Sequence, residues 1–243
     1  GMGAASDQDF RWAVVGPGRI ARRFAQAVRE RPDARMAVVI GRDEQRARDF
    51  ADAWCDPGVT RVGTDLTELL RRRDVDAVYI ATPHAFHAEE AARCLRAGVP
   101  VLCEKPLTVN LRQAQALEAL SRTLNVFLME ALWTRFLPVY ETVGEWLREG
   151  RIGAVRAIQS SFGFSVPFDA KTRHWDPWQA GGALLDIGVY NLSMAQWALA
   201  QANGTAPELE DFVAEARLAP SGVDTAVLAT LRFSGDVHLQ FRC

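Results

Sequence analysis

Phe10-Arg11-Trp12-Ala13-Val14-Val15-Gly16-Pro17-Gly18-Arg19-Ile20-Ala21 is the stretch that decides the fold. Trp12 to Val15 is apolar without alternation, as a strand covered on both faces requires. Gly16-Pro17-Gly18-Arg19-Ile20-Ala21 follows at once and fits G-x-G-x-x-A, and a helical pattern carrying Ile20, Phe24 and Val28 comes next. In such a strand–turn–helix the first glycine permits the tight turn and the second lets a pyrophosphate approach the backbone. A small third residue packs helix on strand. The N–H groups at the helix start then face the phosphates. The pattern alone also fits a structural glycine turn; its place at the head of the first βα unit is what points to a dinucleotide. Gly16, Gly18, Arg19 and Ile20 are therefore candidate cofactor contacts.

Working outward, the alternation continues. Apolar runs at Met36–Ile40, Val75–Ala81, Val99–Cys103 and Val126–Met129 predict strands. Helical patterns fill the gaps: Asp43 to about Trp54, His84 to Ala97, and a helix after Asn110, a good N-cap. Near-continuous apolar strands separated by helices mean a parallel, doubly wound sheet, an α/β Rossmann domain over residues 9–130. From residue 131 the rhythm changes. A helix over Leu137–Leu147, a strand-like stretch from Val155 to Val166 and a helix over Ile187–Leu199 are predicted. Strands at Phe212–Leu218, Thr225–Phe233 and Val237–Phe241 follow, the last two joined as a hairpin through Ser234-Gly235. Residues 131–243 read as an α+β domain on an open, mostly antiparallel sheet. The sequence stops just after a strand, which leaves backbone groups unpaired unless another chain covers them.

Composition narrows the function. The 243 residues are 49% hydrophobic and 24% charged, ordinary for a globular protein. With 28 Lys+Arg against 30 Asp+Glu, the net charge of −2 gives no case for nucleic acid or an anionic membrane. Arg71-Arg72-Arg73 is the densest basic cluster and reads as the solvated end of a helix. Four cysteines without regular spacing read as reduced thiols of a cytoplasmic protein. No apolar run approaches the ~18 residues of a membrane span, and residues 1–10 lack the regions of a signal peptide.

Cofactor choice turns on the end of the second strand. An NAD site usually places an acidic residue there, about 20 residues past the glycines, on the ribose 2′-hydroxyl. Here the sequence is Ile40-Gly41-Arg42-Asp43. Gly41 leaves room for a 2′-phosphate and Arg42 can pair with it or stack on adenine. Asp43 argues for NAD, yet it is better placed as the N-cap of the next helix. NADP is thus the expected cofactor and NAD the lesser candidate. Ala81-Thr82-Pro83 closes a strand on the carboxyl edge, where ligands bind in open α/β sheets. His84 and His87 follow, but nothing nearby completes a metal site, so no metal is expected and His87 is placed near the nicotinamide. Cys103-Glu104-Lys105-Pro106 ends the next strand on the same edge. By position alone, Lys105 is equally a fixed ammonium for catalysis or the partner of Glu104 in a turn.

These motifs together resemble the glucose–fructose oxidoreductase/inositol dehydrogenase (Gfo/Idh/MocA) family. Gly16 to Ala21, Ala81-Thr82-Pro83 with His87, and Glu104-Lys105-Pro106 carry the resemblance. Met129-Glu130-Ala131-Leu132-Trp133-Thr134-Arg135-Phe136 and Gly181-Gly182-Ala183-Leu184-Leu185-Asp186-Ile187-Gly188-Val189-Tyr190 narrow it. They are similar to the branch with dimeric dihydrodiol dehydrogenases and NADP-dependent xylose dehydrogenases. The resemblance implies a reaction site of Lys105, Asp186 and Tyr190, with Thr82, His87 and Glu104 on the cofactor side. It implies Trp133 and Arg135 lining the nicotinamide or substrate pocket, a homodimer formed through the second sheet, and, since members of the family run longer, a second domain that is shortened here with its sheet incomplete.

The chemistry is compatible with that transfer. Asp186 and Tyr190 are four apart, so at a helix start they share a face. A phenol with a pKa of ~10 is a poor base at neutral pH, and a neighbouring ammonium such as Lys105 stabilises its phenolate. Read without the family, Asp186 is better taken as an N-cap and Tyr190 as a packed aromatic; the resemblance turns the reading to catalysis. Two readings follow: an NADP-dependent dehydrogenase or reductase acting on the hydroxyl or carbonyl carbon of a small sugar, polyol or cyclic diol, or a non-catalytic NADP-binding redox-sensing or interaction protein derived from one.

Overall fold

The computed structural model describes residues 9–131 and 138–243, and the chain divides after Ala131 into two compact units. The first is built on six strands: β1 (Phe10–Val15), β2 (Ala34–Ile40), β3 (Arg61–Gly63), β4 (Ala77–Ile80), β5 (Val101–Glu104) and β6 (Leu128–Ala131). All pair in parallel, in the order β3-β2-β1-β4-β5-β6. The order reverses between β1 and β4, where Val15 pairs with Ile80, and a ligand crevice opens beyond the carboxyl ends of strands at such a switch point.

The strand residues explain the layering. Val14, Val38, Val39, Val78, Tyr79 and Ile80 are fully buried, because helices cover both faces of the sheet. Those helices are α1 (Arg19–Arg29), α2 (Glu44–Trp54), α3 (Leu66–Arg72), α4 (His87–Arg96) and α5 (Leu111–Leu124). Three of them start where the side chain of Asp43, Asp65 or Asn110 accepts a backbone N–H of the first turn, which satisfies a donor the helix cannot use. α1 is different: it has neither a side-chain cap nor an acidic residue in its first turn. β3 had no apolar run to announce it. Its three residues are only half-buried, and it exists as the edge partner of β2.

The second unit carries β7 (Ala157–Ser161), β8 (Leu209–Leu218), β9 (Asp224–Phe233) and β10 (Val237–Arg242), with α6 (Pro138–Arg148) and α7 (Val189–Asn203). The sheet order is β7-β10-β9-β8. β9 pairs antiparallel with both β8 and β10, and β10 pairs in parallel with β7. On β9 and β10 the alternate residues Val227, Ala229, Leu231, Phe233, Val237, Leu239 and Phe241 are buried, packed with Ile187, Ala195 and Leu199. β7 is shorter than the stretch from Val155 to Val166 suggests, because β10 offers it pairing positions only for Ala157 to Ser161. α7 is preceded by a π-helical turn at Leu184–Gly188. Among the described residues no helix is long and apolar enough to cross a membrane.

Leu239 is fully buried at the centre of this second core. Leu239→Ala is expected to destabilise the protein by about 2–5 kcal/mol, read as a lower midpoint in urea denaturation.

Candidate active site

The turn after β1 is shaped by one missing side chain. Gly16 has φ +95°, and a Cβ there would stand 2.6 Å from the Thr82 amide nitrogen and 2.7 Å from the Ala81 carbonyl carbon. The β1 turn therefore lies flush against the end of β4. Gly16 N–H donates to the Ile40 carbonyl (2.9 Å) and Gly18 N–H to that of Gly16 (2.9 Å). A Cβ on Gly18, by contrast, would meet nothing within 4 Å. Open space over Gly18 and the bare N-terminus of an 11-residue helix together fit a dinucleotide pyrophosphate. Arg19 is exposed and Ile20 half-buried at the same helix start.

At the end of β2, Asp43 accepts the Arg46 N–H at 2.9 Å and caps α2, so its carboxylate is already engaged. Gly41 has a further reason to lack a side chain: a Cβ would stand 2.9 Å from the Pro17 ring. Arg42 is exposed, its guanidinium carbon 5.8 Å from the Phe86 ring centroid.

Thr82 is held from three directions. Its amide abuts Gly16, its hydroxyl donates to Glu90 Oε1 at 2.7 Å, and its carbonyl oxygen lies 2.8 Å from His87 Nε2. The other ring nitrogen of His87, Nδ1, lies 2.8 Å from the Pro106 carbonyl oxygen. His87 is fully buried. Its ring thus stands between the turn after β4 and the turn after β5, with a backbone carbonyl of each facing one of its nitrogens. The sequence signal for Glu90 is its place three residues after His87 on α4, one helical face.

The second of these loops is tied down on its other flank. Glu104 is buried, 6% exposed, and accepts the Tyr79 hydroxyl at 2.6 Å. Tyr79 stacks on Phe24 of α1, ring centroids 4.1 Å apart. Leu107 N–H donates to Glu130 Oε2 at 2.5 Å, and the Lys105–Pro106 peptide is cis. Glu104, expected on the cofactor side, thereby fixes the segment that carries half-buried Lys105. Burial pushes the thiols of Cys55 and Cys94 up to about 12, which removes both as nucleophiles near neutral pH.

In the second unit, Asp186 lies in the π-turn and Tyr190 in the first turn of α7, four residues on. The Asp186 side chain is 14% exposed; Oδ1 lies 3.3 Å from Arg173 Nη1 and Oδ2 4.0 Å from His174 Nε2. Tyr190 meets Phe162 edge-on, centroids 6.1 Å apart. Next to it, Asn191 is buried and accepts a hydrogen bond from the Ser160 hydroxyl of β7. Residues 169–181 reach Asp186 because Gly181 and Gly182 donate back to the Asp176 and His174 carbonyls, 3.0 Å each. The pairing of Arg173 with Asp186 spans 13 residues and has no local sequence signature. Trp133 and Arg135 lie outside the described residues.

Residues 10–132 match the family described as an oxidoreductase family with an NAD-binding Rossmann fold, and residues 140–243 match its C-terminal domain, GFO/IDH/MocA. Trans-1,2-dihydrobenzene-1,2-diol dehydrogenase of Mus musculus is 35% identical over 236 residues, 96% of this chain and 68% of that protein. The enzyme of the same name from Homo sapiens is 36% identical, with the same shares covered. Among solved structures, KijD10, a 3-ketoreductase from Actinomadura kijaniata with NADP and TDP-benzene, superposes with a TM-score of 0.83 at 33% identity, over 96% of this chain and 69% of that one. GenD2 from gentamicin A biosynthesis, in complex with NAD, gives 0.84 at 26% identity, over 100% and 67%.

Two outcomes are expected. Gly16→Ala drives a methyl into the Ala81–Thr82 backbone and abolishes dinucleotide binding, read by quenching of tryptophan fluorescence. His87 carries a depressed pKa, its burial outweighing the two carbonyls that favour the charged ring. A depressed histidine resists the proton that the unfolded ring accepts below its ordinary 6.5. Its contribution to stability is thus intact above pH 6.5 and lost as the pH falls, and His87→Gln flattens that acid slope in urea midpoints measured from pH 7.5 to 5.5.

Proposed function

The chain belongs to the Gfo/Idh/MocA oxidoreductase family, and we propose that within it the protein is an NADP-linked dehydrogenase or reductase. Its substrate is a small sugar, polyol or cyclic diol, oxidised at a CH–OH carbon or reduced at the matching carbonyl. The observation that carries this reading is the Asp186–Tyr190 turn, a carboxylate and a phenol on one helical face with Arg173 and His174 drawn up to the carboxylate. Relatives named for a diol dehydrogenase and a neighbour named as a 3-ketoreductase support the substrate class.

Bound NADP supplies the carbon that takes or gives up hydride. The residues of the chain handle the proton. In oxidation Tyr190 accepts the hydroxyl proton at its phenolic oxygen, and in reduction it returns that proton. Lys105 is assigned to stabilise the phenolate, since an adjacent ammonium lowers a phenol's pKa. Asp186 orients that ammonium or a substrate hydroxyl. Trp133 and Arg135 are assigned to the pocket wall on the family pattern. Gly16, Gly18, Arg19, Ile20 and Thr82 form the dinucleotide cradle. Arg42 is the residue proposed to select NADP over NAD: its exposure just past the end of β2 and the engagement of Asp43 as a cap support that reading.

Buried thiols at all four cysteines support a reducing, cytoplasmic setting. The exposed Phe212, Val213, Leu218 and Leu228 on β8 and β9 support a homodimer through the second sheet.

Titration with NADPH and NADH separates the cofactors: micromolar NADPH affinity with much weaker NADH binding is expected. Arg42→Ala should cost NADPH about ten- to a hundredfold in affinity, the worth of one charge-assisted contact, and leave NADH unchanged. Tight NADH binding by the parent overturns the role of Arg42. Turnover is assayed with NADP+ on a panel of aldoses and cyclic diols, where Tyr190→Phe lowers kcat by about 10²–10⁴. Tight NADPH binding without turnover of any of them would sink the enzymatic reading.

A further inference from the structure

The helix that carries Asp186 and Tyr190 has no cap of its own. Neither the π-turn at Leu184–Gly188 nor α7 starts with a side-chain hydrogen bond from its N-cap residue. The donor at Leu184 is satisfied from 40 residues away: its N–H donates to Asp224 Oδ2 at 2.7 Å. Asp224 is the first residue of β9, the strand between β8 and β10. It follows a hairpin turn closed by Ala219 N–H to the Val223 carbonyl (2.8 Å) and by Gly222 N–H to that of Ala219 (2.9 Å).

The other carboxylate oxygen is fitted as closely. Gly182 has φ +114°, and a Cβ there would overlap Asp224 Oδ1. Gly182 in turn supplies the carbonyl that accepts the Asp186 N–H at 3.2 Å. One carboxylate thus abuts the residue that closes the Asp186 turn and bonds the residue that opens the π-turn. A π-turn closes with i→i+5 bonds and is rare, found mostly as a single turn within an α-helix. The position of the helix start sets the angular phase of both Asp186 and Tyr190.

We propose that Asp224 is a positioning residue for the Asp186–Tyr190 pair, fixing the phase of the helix start against the sheet. The inference rests on the reading of Asp186 and Tyr190 as the reaction pair for its catalytic consequence, but not for its structural one. The carboxylate touches no reacting atom; it acts through the Leu184 N–H and the Gly182 turn. Asn keeps the acceptor at this position and Ala removes it.

The test uses Asp224→Ala and Asp224→Asn in the full chain, with two readouts. Hydrogen exchange of the amides from 184 to 190 should quicken at least tenfold in Asp224→Ala and return towards the parent rate in Asp224→Asn, while amides of β10 and of the first unit keep theirs. In turnover, kcat should fall at least tenfold in Asp224→Ala with NADPH affinity within twofold of the parent, and Asp224→Asn should recover most of it. Unchanged exchange at 184–190 overturns the proposal, as does general quickening across β8 to β10, which would make Asp224 a stabiliser of the whole unit. Tyr190→Phe is run alongside. If it keeps full activity, the reaction pair is misassigned, and the exchange result still decides the cap.

Discussion

A side chain on Gly16 would collide with the backbone of Ala81 and Thr82, and from that exclusion the layout of the first unit follows. The β1 turn can lie flush on the end of β4 only because residue 16 is bare. That contact brings the start of α1, which its N-cap residue leaves without a side-chain cap, beside Thr82 at the carboxyl edge of the sheet. The collision is with backbone, so no rotamer relieves it. Gly18 differs in kind: the space over it is open, and its lack of a side chain serves an approaching ligand. Two glycines in one motif therefore meet two separate demands, one of packing and one of access.

The second unit solves another problem, holding an acid and a phenol in phase on a helix whose first turn is π-helical. Local sequence does not supply the restraint. Asp224 fixes the start of the segment, and the Ser160–Asn191 hydrogen bond ties the helix to β7 just beyond Tyr190. Gly188 lets the turn sit close to the sheet, since a Cβ there would stand 2.9 Å from Cys243 Sγ. The pair is thus restrained by the sheet at both ends.

Most of the fold was legible because burial writes itself into period and composition. Five of the six strands of the first sheet are apolar runs. The hairpin of β9 and β10 shows its alternation of buried and exposed residues in plain sequence. β3 was illegible: three half-buried residues carry no periodicity, and pairing with β2 alone defines them. The glycine motif was legible since its spacing is local, and the capping role of Asp43 could be read from its place before α2. The surroundings of Asp186 were not. Arg173, His174 and Asp224 meet it or its turn through contacts 12 to 40 residues long in sequence, and such contacts leave no spacing to read. His87 was visible as a residue of interest, but only burial reveals that both its nitrogens face backbone carbonyls.

That last contact makes one body of two loops. The turn after β4 and the turn after β5 belong to different βα units, yet one buried imidazole stands between them, with a carbonyl oxygen of each loop 2.8 Å from one of its nitrogens. A displacement of the Thr82 loop is therefore met by the ring, and through the ring by the Pro106 carbonyl beside Lys105.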